Sequence, residues 1–356
     1  MEKRRWRARV RVAIDCANMA SGRGSRRTTE TESVIACVQL DGLVILKIIK
    51  HCEEVGSELS QGVLLGLLIG NCLEITNCFP FPRNALDDPE FDEVQYQMEM
   101  MRHLRYVNID HLHVGWYQST FFGGFVSKAL LDSQFQYQHS IEESVVLVYD
   151  PLRTTQGYLS LKAYRLTPQT MAIYETMDFS PENIKQTKMA FSTIFEEVPI
   201  FIKNSHLVNG LTLEVEDSSS EPTETYNFLD LATSSVLEKN LKLLMDTVDE
   251  LCQDSNKFHN HFRQAMKQNQ AKQQHVQKRH QENAIRTAKG EPPLPEEDIN
   301  KLFKPLPAPH RLDSLLQSGQ VKSYCDQINQ FSCQGLGKMF LAEALQDSKK
   351  QSTGSI

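Results

Sequence analysis

The sequence predicts an α/β fold: a mixed sheet flanked by helices, giving way to long C-terminal helices. Short helical and strand patterns alternate through residues 38–167, as they do in a mixed α/β domain. From Val236 onward the periodicity changes to a heptad-like repeat. Between the two, residues 216–225 are turn-rich and polar, which marks a boundary.

Taken in order, residues 1–36 form a basic arm predicted to be disordered. Its first 30 residues hold Lys3 and eight arginines against Glu2, Asp15 and Glu30. A flexible tail, a nucleic-acid or ribosome contact and an import signal all fit that composition. Met19-Ala20-Ser21 also fits an alternative start, which would make residues 1–18 an isoform extension. The core domain is expected over 37–167. Leu43, Leu46, Ile49 and Cys52 recur at helical spacing and are closed by Gly56. Residues 62–70 and 72–79 read as a hairpin turning at Gly70-Asn71. A helix through Val94, Met98, Met101 and Leu104, a strand over 111–118, a helix over 125–135 and strands over 144–149 and 158–166 complete the domain. Residues 168–225 are its extension, with one further strand over 198–202.

Residues 226–290 read as one long partner-binding helix. Leu237, Leu241, Leu244, Val248, Leu251, Ser255, Phe258 and Phe262 follow a 4-3-4-3-4-3-4 spacing, broken only by Ser255. Such a seam needs another helix over it, from this chain or from another. Its Gln-rich end carries Arg263, Lys267, Lys272, Lys278, Arg279, Arg286 and Lys289, with Glu282 alone opposing them. That end fits either an RNA contact or a solvated continuation of the helix. Prolines define a linker over 291–311, whose PxxP spacing fits a partner site, and 312–356 form a final amphipathic helix and tail through Tyr324, Ile328, Phe331, Leu336, Phe340 and Leu345. Gly335-Leu336-Gly337-Lys338 lacks the preceding strand that a phosphate loop requires. The longest apolar run, 62–70, is too short to span a bilayer. Eight cysteines without a CxxC pair point to free thiols in a reducing, cytoplasmic setting.

Residues 62–70, followed about 45 residues later by Val114-Gly115-Trp116-Tyr117, resemble the MPN family across 38–167. The resemblance implies a cytidine-deaminase-like mixed sheet. In catalytic members a zinc ion is held by an H-x-H pair after the G-W-Y run and by an Asp on the next helix. A Glu on the earlier strand acts as general base, and a Ser steadies the oxyanion. The corresponding positions here are Val63 for the base, Gln118 and Thr120 for the histidines, Lys128 for the Ser and Leu131 for the Asp. Valine moves no proton, and an ammonium group repels a dication, so no metal, no cofactor and no catalysis are expected. Ser127 and Asp132 are each one residue out of register, a turn of about 100° on a helix. His111-Leu112-His113 is an H-x-H pair without the downstream Ser and Asp, and is expected to be structural or exposed. Val114 and Trp116 are expected on one buried face. No G-x-S-x-G, Walker loop or G-x-G-x-x-G is present.

Residues 73–82, 92–101, 111–120 and 290–298 are similar to the non-catalytic MPN subunits of eukaryotic translation initiation factor 3. That likeness implies a heterodimer with the related F-subunit domain and C-terminal helices entering a bundle shared by several subunits. It also implies scaffolding on the small ribosomal subunit during mRNA recruitment and start-site selection. The alternatives are a zinc isopeptidase acting on ubiquitin conjugates, or a non-catalytic subunit of the proteasome lid or signalosome.

Overall fold

The computed structural model describes residues 35–81, 93–108, 112–156, 158–218, 231, 233–290, 303, 304, 306 and 311–353. The basic arm up to residue 34, His111, the polar stretch 219–230 and most of the proline-rich linker with its PxxP lie outside them. The chain enters at β1 (Cys37–Asp41) and passes directly into α1 (Gly42–Val55), which buries Val44, Ile45, Ile48, Cys52 and Val55 at helical spacing. The hairpin follows as β2 (Gln61–Ile69) and β3 (Cys72–Pro80). After it come α2 (Glu93–Tyr106), β4 (His113–Ser119), α3 (Lys128–Ser140), β5 (Val145–Tyr149) and the single-turn α4 (Pro151–Thr154). Next are β6 (Leu161–Leu166), α5 (Pro168–Thr176), α6 (Pro181–Gln186), β7 (Phe195–Val198), β8 (Ile200–Lys203) and α7 (His206–Ser218). A π-helical turn at Thr233–Leu237 leads into α8 (Glu238–Ala288), and α9 (Leu312–Thr353) follows.

The eight strands make one mixed sheet in the order β7-β6-β5-β4-β2-β3-β1-β8. β1 runs parallel to β3 and β8, β4 parallel to β5, and the remaining pairs are antiparallel. The single strand expected over 198–202 is two strands on opposite edges, divided by Pro199. Proline cannot donate to a ladder, and here its carbonyl accepts from Val38 N at 2.9 Å. Because one residue joins the two edge strands, the edges must meet and the sheet curls back on itself. Residues 37–41, read as lying ahead of the first element, are a strand that both β3 and β8 pair with.

Helix α1 covers one face of the sheet, over Val38, Leu40, Leu64, Leu73, Ile75, Tyr117 and Leu147. On the other face α2 packs over Val63, Leu65 and Phe79, and α3 over Trp116, Val146 and Val148. The expectation that Val114 and Trp116 share a face is wrong. Leu64 pairs with Gly115 and Leu65 with His113, which leaves Val114 as the extra residue of a bulge. A bulge reverses the two-residue alternation, so Val114 joins Tyr117 under α1, while Trp116 and His113 meet Tyr137 of α3. The motif glycines are required by space. A Cβ on Gly62 would lie 2.4 Å from the Tyr117 ring, and one on Gly115 2.1 Å from the Val145 carbonyl.

The first turns of α9 dock Leu312 and Leu316 against Leu131, Leu166, Ile173 and Tyr174. The helix then runs antiparallel to α8. The Arg311 guanidinium lies 5.0 Å over the Phe258 ring, Gln317 donates to Glu250 at 3.4 Å, and Phe331 lines a small cavity with Asn240. No helix among the described residues is long and apolar enough to cross a membrane.

Candidate functional site

The five positions that correspond to a catalytic metal site do not form one. Val63 is buried beneath α2, beside Leu65 and Phe79. Gln118 is buried on β4, opposite Gln61 and Val148. Thr120 donates its N–H to the Tyr149 carbonyl at 2.7 Å, while its buried Oγ1 has no hydrogen-bond partner. Lys128 is exposed on the first turn of α3, and Leu131 is fully buried in the cluster that receives α9. Valine, amide, hydroxyl and isobutyl groups do not fit a zinc ion, and the ammonium points to solvent. Among the described residues no group of three or more His, Cys, Asp or Glu side chains is placed to hold a metal. Ser127, one residue out of register, caps α3 by accepting from Leu130 N at 3.2 Å.

His113, the described half of the H-x-H pair, is a core residue. Its Nε2 lies 2.8 Å from the Gly115 carbonyl and its ring 5.3 Å from that of Tyr137. Burial pushes its pKa down to about 4, so the ring is neutral and Nε2–H donates to that carbonyl. On α3, residues that the motif reading passed over make a buried amide ladder. Trp116 Nε1 donates to Gln134 Oε1 at 2.9 Å, and Gln134 Nε2 donates to the Ser144 carbonyl at 3.0 Å. Gln138 in turn exchanges two hydrogen bonds with the Leu166 backbone.

The cleft beside Thr120, about 340 Å³ in volume, is roofed by α9. Gln320 accepts from Val126 N at 2.9 Å and donates to the Gly123 carbonyl at 2.8 Å, with Ser323 on the same carbonyl at 3.3 Å. The C-terminal helix is thereby fastened to the very loop that follows the lost histidine positions. Asp150, also in this cleft, caps Leu152 N with Oδ1, but its buried Oδ2 has no partner. Burial pushes its pKa up to about 6.

Several helices and one edge strand expose apolar side chains. On α1, Leu43 and Leu46 are exposed; β8 exposes Phe201 and Ile202, and α7 exposes Leu207 (87%), Leu211 and Leu213. Asn204 Oδ1 accepts from Gly42 N at 2.8 Å, which brings the start of α1 beside the start of α7. Of the heptad seam, Leu237, Leu244, Leu251 and Phe258 are half-buried, whereas Leu241, Val248 and Phe262 are exposed. The covering helix is therefore from this chain, α9, and it takes only part of the seam. Past its overlap with α8, α9 exposes Leu336, Met339, Phe340 (69%), Leu341 and Leu345. The basic, Gln-rich stretch continues α8 as helix to Ala288.

Residues 33–143 match the family described as JAB1/Mov34/MPN/PAD-1 ubiquitin protease, and residues 154–351 match the C-terminal region of eIF3h. The H subunit of eukaryotic translation initiation factor 3 from Xenopus tropicalis is 60% identical over 321 residues, covering 90% of this chain and 96% of that protein. The H subunit from Nematostella vectensis is 56% identical over 335 residues, covering 93% and 100%. That from Bombyx mori is 51% identical over 336 residues, covering 93% and 98%.

Proposed function

This chain belongs to the H-subunit family of eukaryotic translation initiation factor 3, and we propose that it works there as a scaffold holding other subunits together. It is a non-catalytic member of the MPN fold: the residues at the metal and general-base positions supply neither ligands nor a base. The scaffold reading is carried by apolar helical surface that no described part of the chain covers. In this reading the domain at 37–167, with its extension 168–225, pairs with the MPN domain of the F subunit through α1, β8 and α7. The helices of 226–290 and 312–356, joined by the linker 291–311, enter a bundle with further subunits. The assembly then acts in the cytoplasm on the small ribosomal subunit, in mRNA recruitment and start-site selection, and the basic stretch 263–289 is the segment that would meet RNA.

The test replaces Leu241, Val248 and Phe262 together with Asp in the full chain. Charge buried at a helix seam is costly, so co-purification with the subunits of the helical bundle should fall by at least about tenfold. The circular-dichroism melting curve should shift by only a few degrees, because these three side chains lie on the part of the seam that α9 leaves exposed. Undiminished recovery of all subunits would remove the seam from the assembly. Cleavage of ubiquitin chains by the purified protein, with zinc bound stoichiometrically, would restore the enzyme reading.

A further inference from the structure

We propose that Cys37 and Cys72 form a reversible disulfide, so that the end of the β1–β3 pair is a thiol redox site. The two residues are direct partners in the parallel ladder, and their Sγ atoms lie 2.9 Å apart as free thiols. Neighbouring strands run about 4.8 Å apart, inside the roughly 4.4–6.8 Å of Cα separation that a disulfide spans. Closing the bond therefore requires side-chain rotation rather than strand movement. Both residues are partly exposed, at the end of the sheet beside the Gly70-Asn71 turn, whose Asn71 carbonyl accepts from Ala36 N at 2.8 Å. The other cysteines near the sheet differ in kind: Cys52 and Cys78 are buried, and Cys78 Sγ donates to the Val44 carbonyl.

The chemistry balances with hydrogen peroxide as oxidant. The Cys37 thiolate attacks one peroxide oxygen, the O–O bond breaks, and hydroxide leaves and is protonated to water. Cys37 is then a sulfenic acid. The Cys72 sulfur attacks the Cys37 sulfur, the S–O bond breaks, and the departing oxygen leaves as water with the Cys72 proton. Two thiols and one peroxide thus give one disulfide and two waters, and a small-molecule thiol reverses the reaction by exchange. Burial and the neighbouring thiol push Cys72 up to about 11, so Cys72 is the neutral thiol at neutral pH and carries the proton that leaves with the departing oxygen. The bond would tie β1 to β3 across α1 and β2, and so fix the strand on which the edge strand β8 also depends.

The experiment treats the purified full-length chain with hydrogen peroxide, alkylates the remaining thiols, digests it, and reads peptide masses with and without dithiothreitol. A linked Cys37–Cys72 peptide that disappears on reduction is expected, together with a melting temperature raised in the oxidised protein. Cys37→Ser should abolish both, leaving Cys72 alkylated. Because Cys37→Ser acts at the sheet, Cys72→Ser serves as an independent control, and folding of both is checked by circular dichroism. The proposal is overturned if Cys37 and Cys72 both remain fully alkylated when the exposed Cys252, Cys325 and Cys333 are oxidised. It is equally overturned if either residue is recovered only in links to those three.

Discussion

Asp150 and His113 are buried ionisable groups that pull the acid side of the stability curve in opposite directions. His113 falls from 6.5 to about 4 in the folded chain, so between those values the unfolded state binds more protons and acidification destabilises. Asp150 rises from 3.8 to about 6, so over nearly the same window the folded state binds more protons and acidification stabilises. The two contributions nearly cancel in the native chain. Asp150→Asn removes one of them while keeping the oxygen that caps Leu152, and it places a donor on a cavity that Asn240, whose buried Oδ1 also lacks a partner, lines as well. At pH 7.5 the variant should be more stable by up to about 3 kcal/mol. That advantage should shrink as pH falls through 6 and vanish near 4. Thermal melts of the two proteins side by side check this, and a gain that persists at pH 4 would show that burial of charge is not the cause. At this scale the sequence was informative in a particular way. Valine at position 63 and leucine at 131 state the missing chemistry outright, because a side chain's chemistry is its identity. That Thr120 and Asp150 keep unpaired polar atoms was not legible, since it depends on α9 closing over them from far along the chain.

Among the elements, α3 shows how the fold uses the helix that carries metal-site residues in catalytic relatives of the MPN family. Gln134 and Gln138 turn inward and satisfy the indole of Trp116 and the backbone at Ser144 and Leu166. Replacing Gln134 with Leu keeps the volume but strands a buried N–H and a buried carbonyl, at about 1–3 kcal/mol each. Urea unfolding of Gln134→Leu should therefore show a lower midpoint with an unchanged slope, whereas an unchanged midpoint would mean that water replaces the amide. The hairpin and helices α1, α2, α3, α8 and α9 were readable because their apolar positions repeat at 3.6 or 2 residues. The failures have physical causes. The bulge at Val114 shifts the alternation by one, and nothing in the local composition announces it. Pro199 divides a run that looks continuous because both halves are β-branched or apolar. Helix α7 was missed since its apolar residues do not settle on a face of the core.

At the scale of the whole molecule, the curled sheet and the α8–α9 hairpin are bound into one unit. The sheet runs unbroken from β7 to β8, and α9 contributes Leu312, Leu316 and Gln320 to the domain it leaves. On the reading proposed above this arrangement would present two separable docking regions: the α1, β8 and α7 surface at one sheet edge, and the exposed seam with the free end of α9. If the first holds the MPN partner, charges placed there should uncouple that partner alone. Leu46→Asp with Leu211→Asp alters two exposed side chains, so the variant should melt with the native protein to within about a degree, surface changes of this kind being worth roughly 0.5 kcal/mol or less. Pull-downs from cells expressing the variant should lose the F subunit while keeping the partners that the helices hold. The seam variant should show the reverse, keeping the F subunit and losing the bundle. Loss of every partner from both variants would mean that the two surfaces are occupied cooperatively, and the molecule would then be a single keystone rather than a two-ended link. Retention of the F subunit by the sheet-edge variant would move the pairing surface elsewhere on the domain, because two aspartates in an apolar interface leave desolvated charge that association does not tolerate.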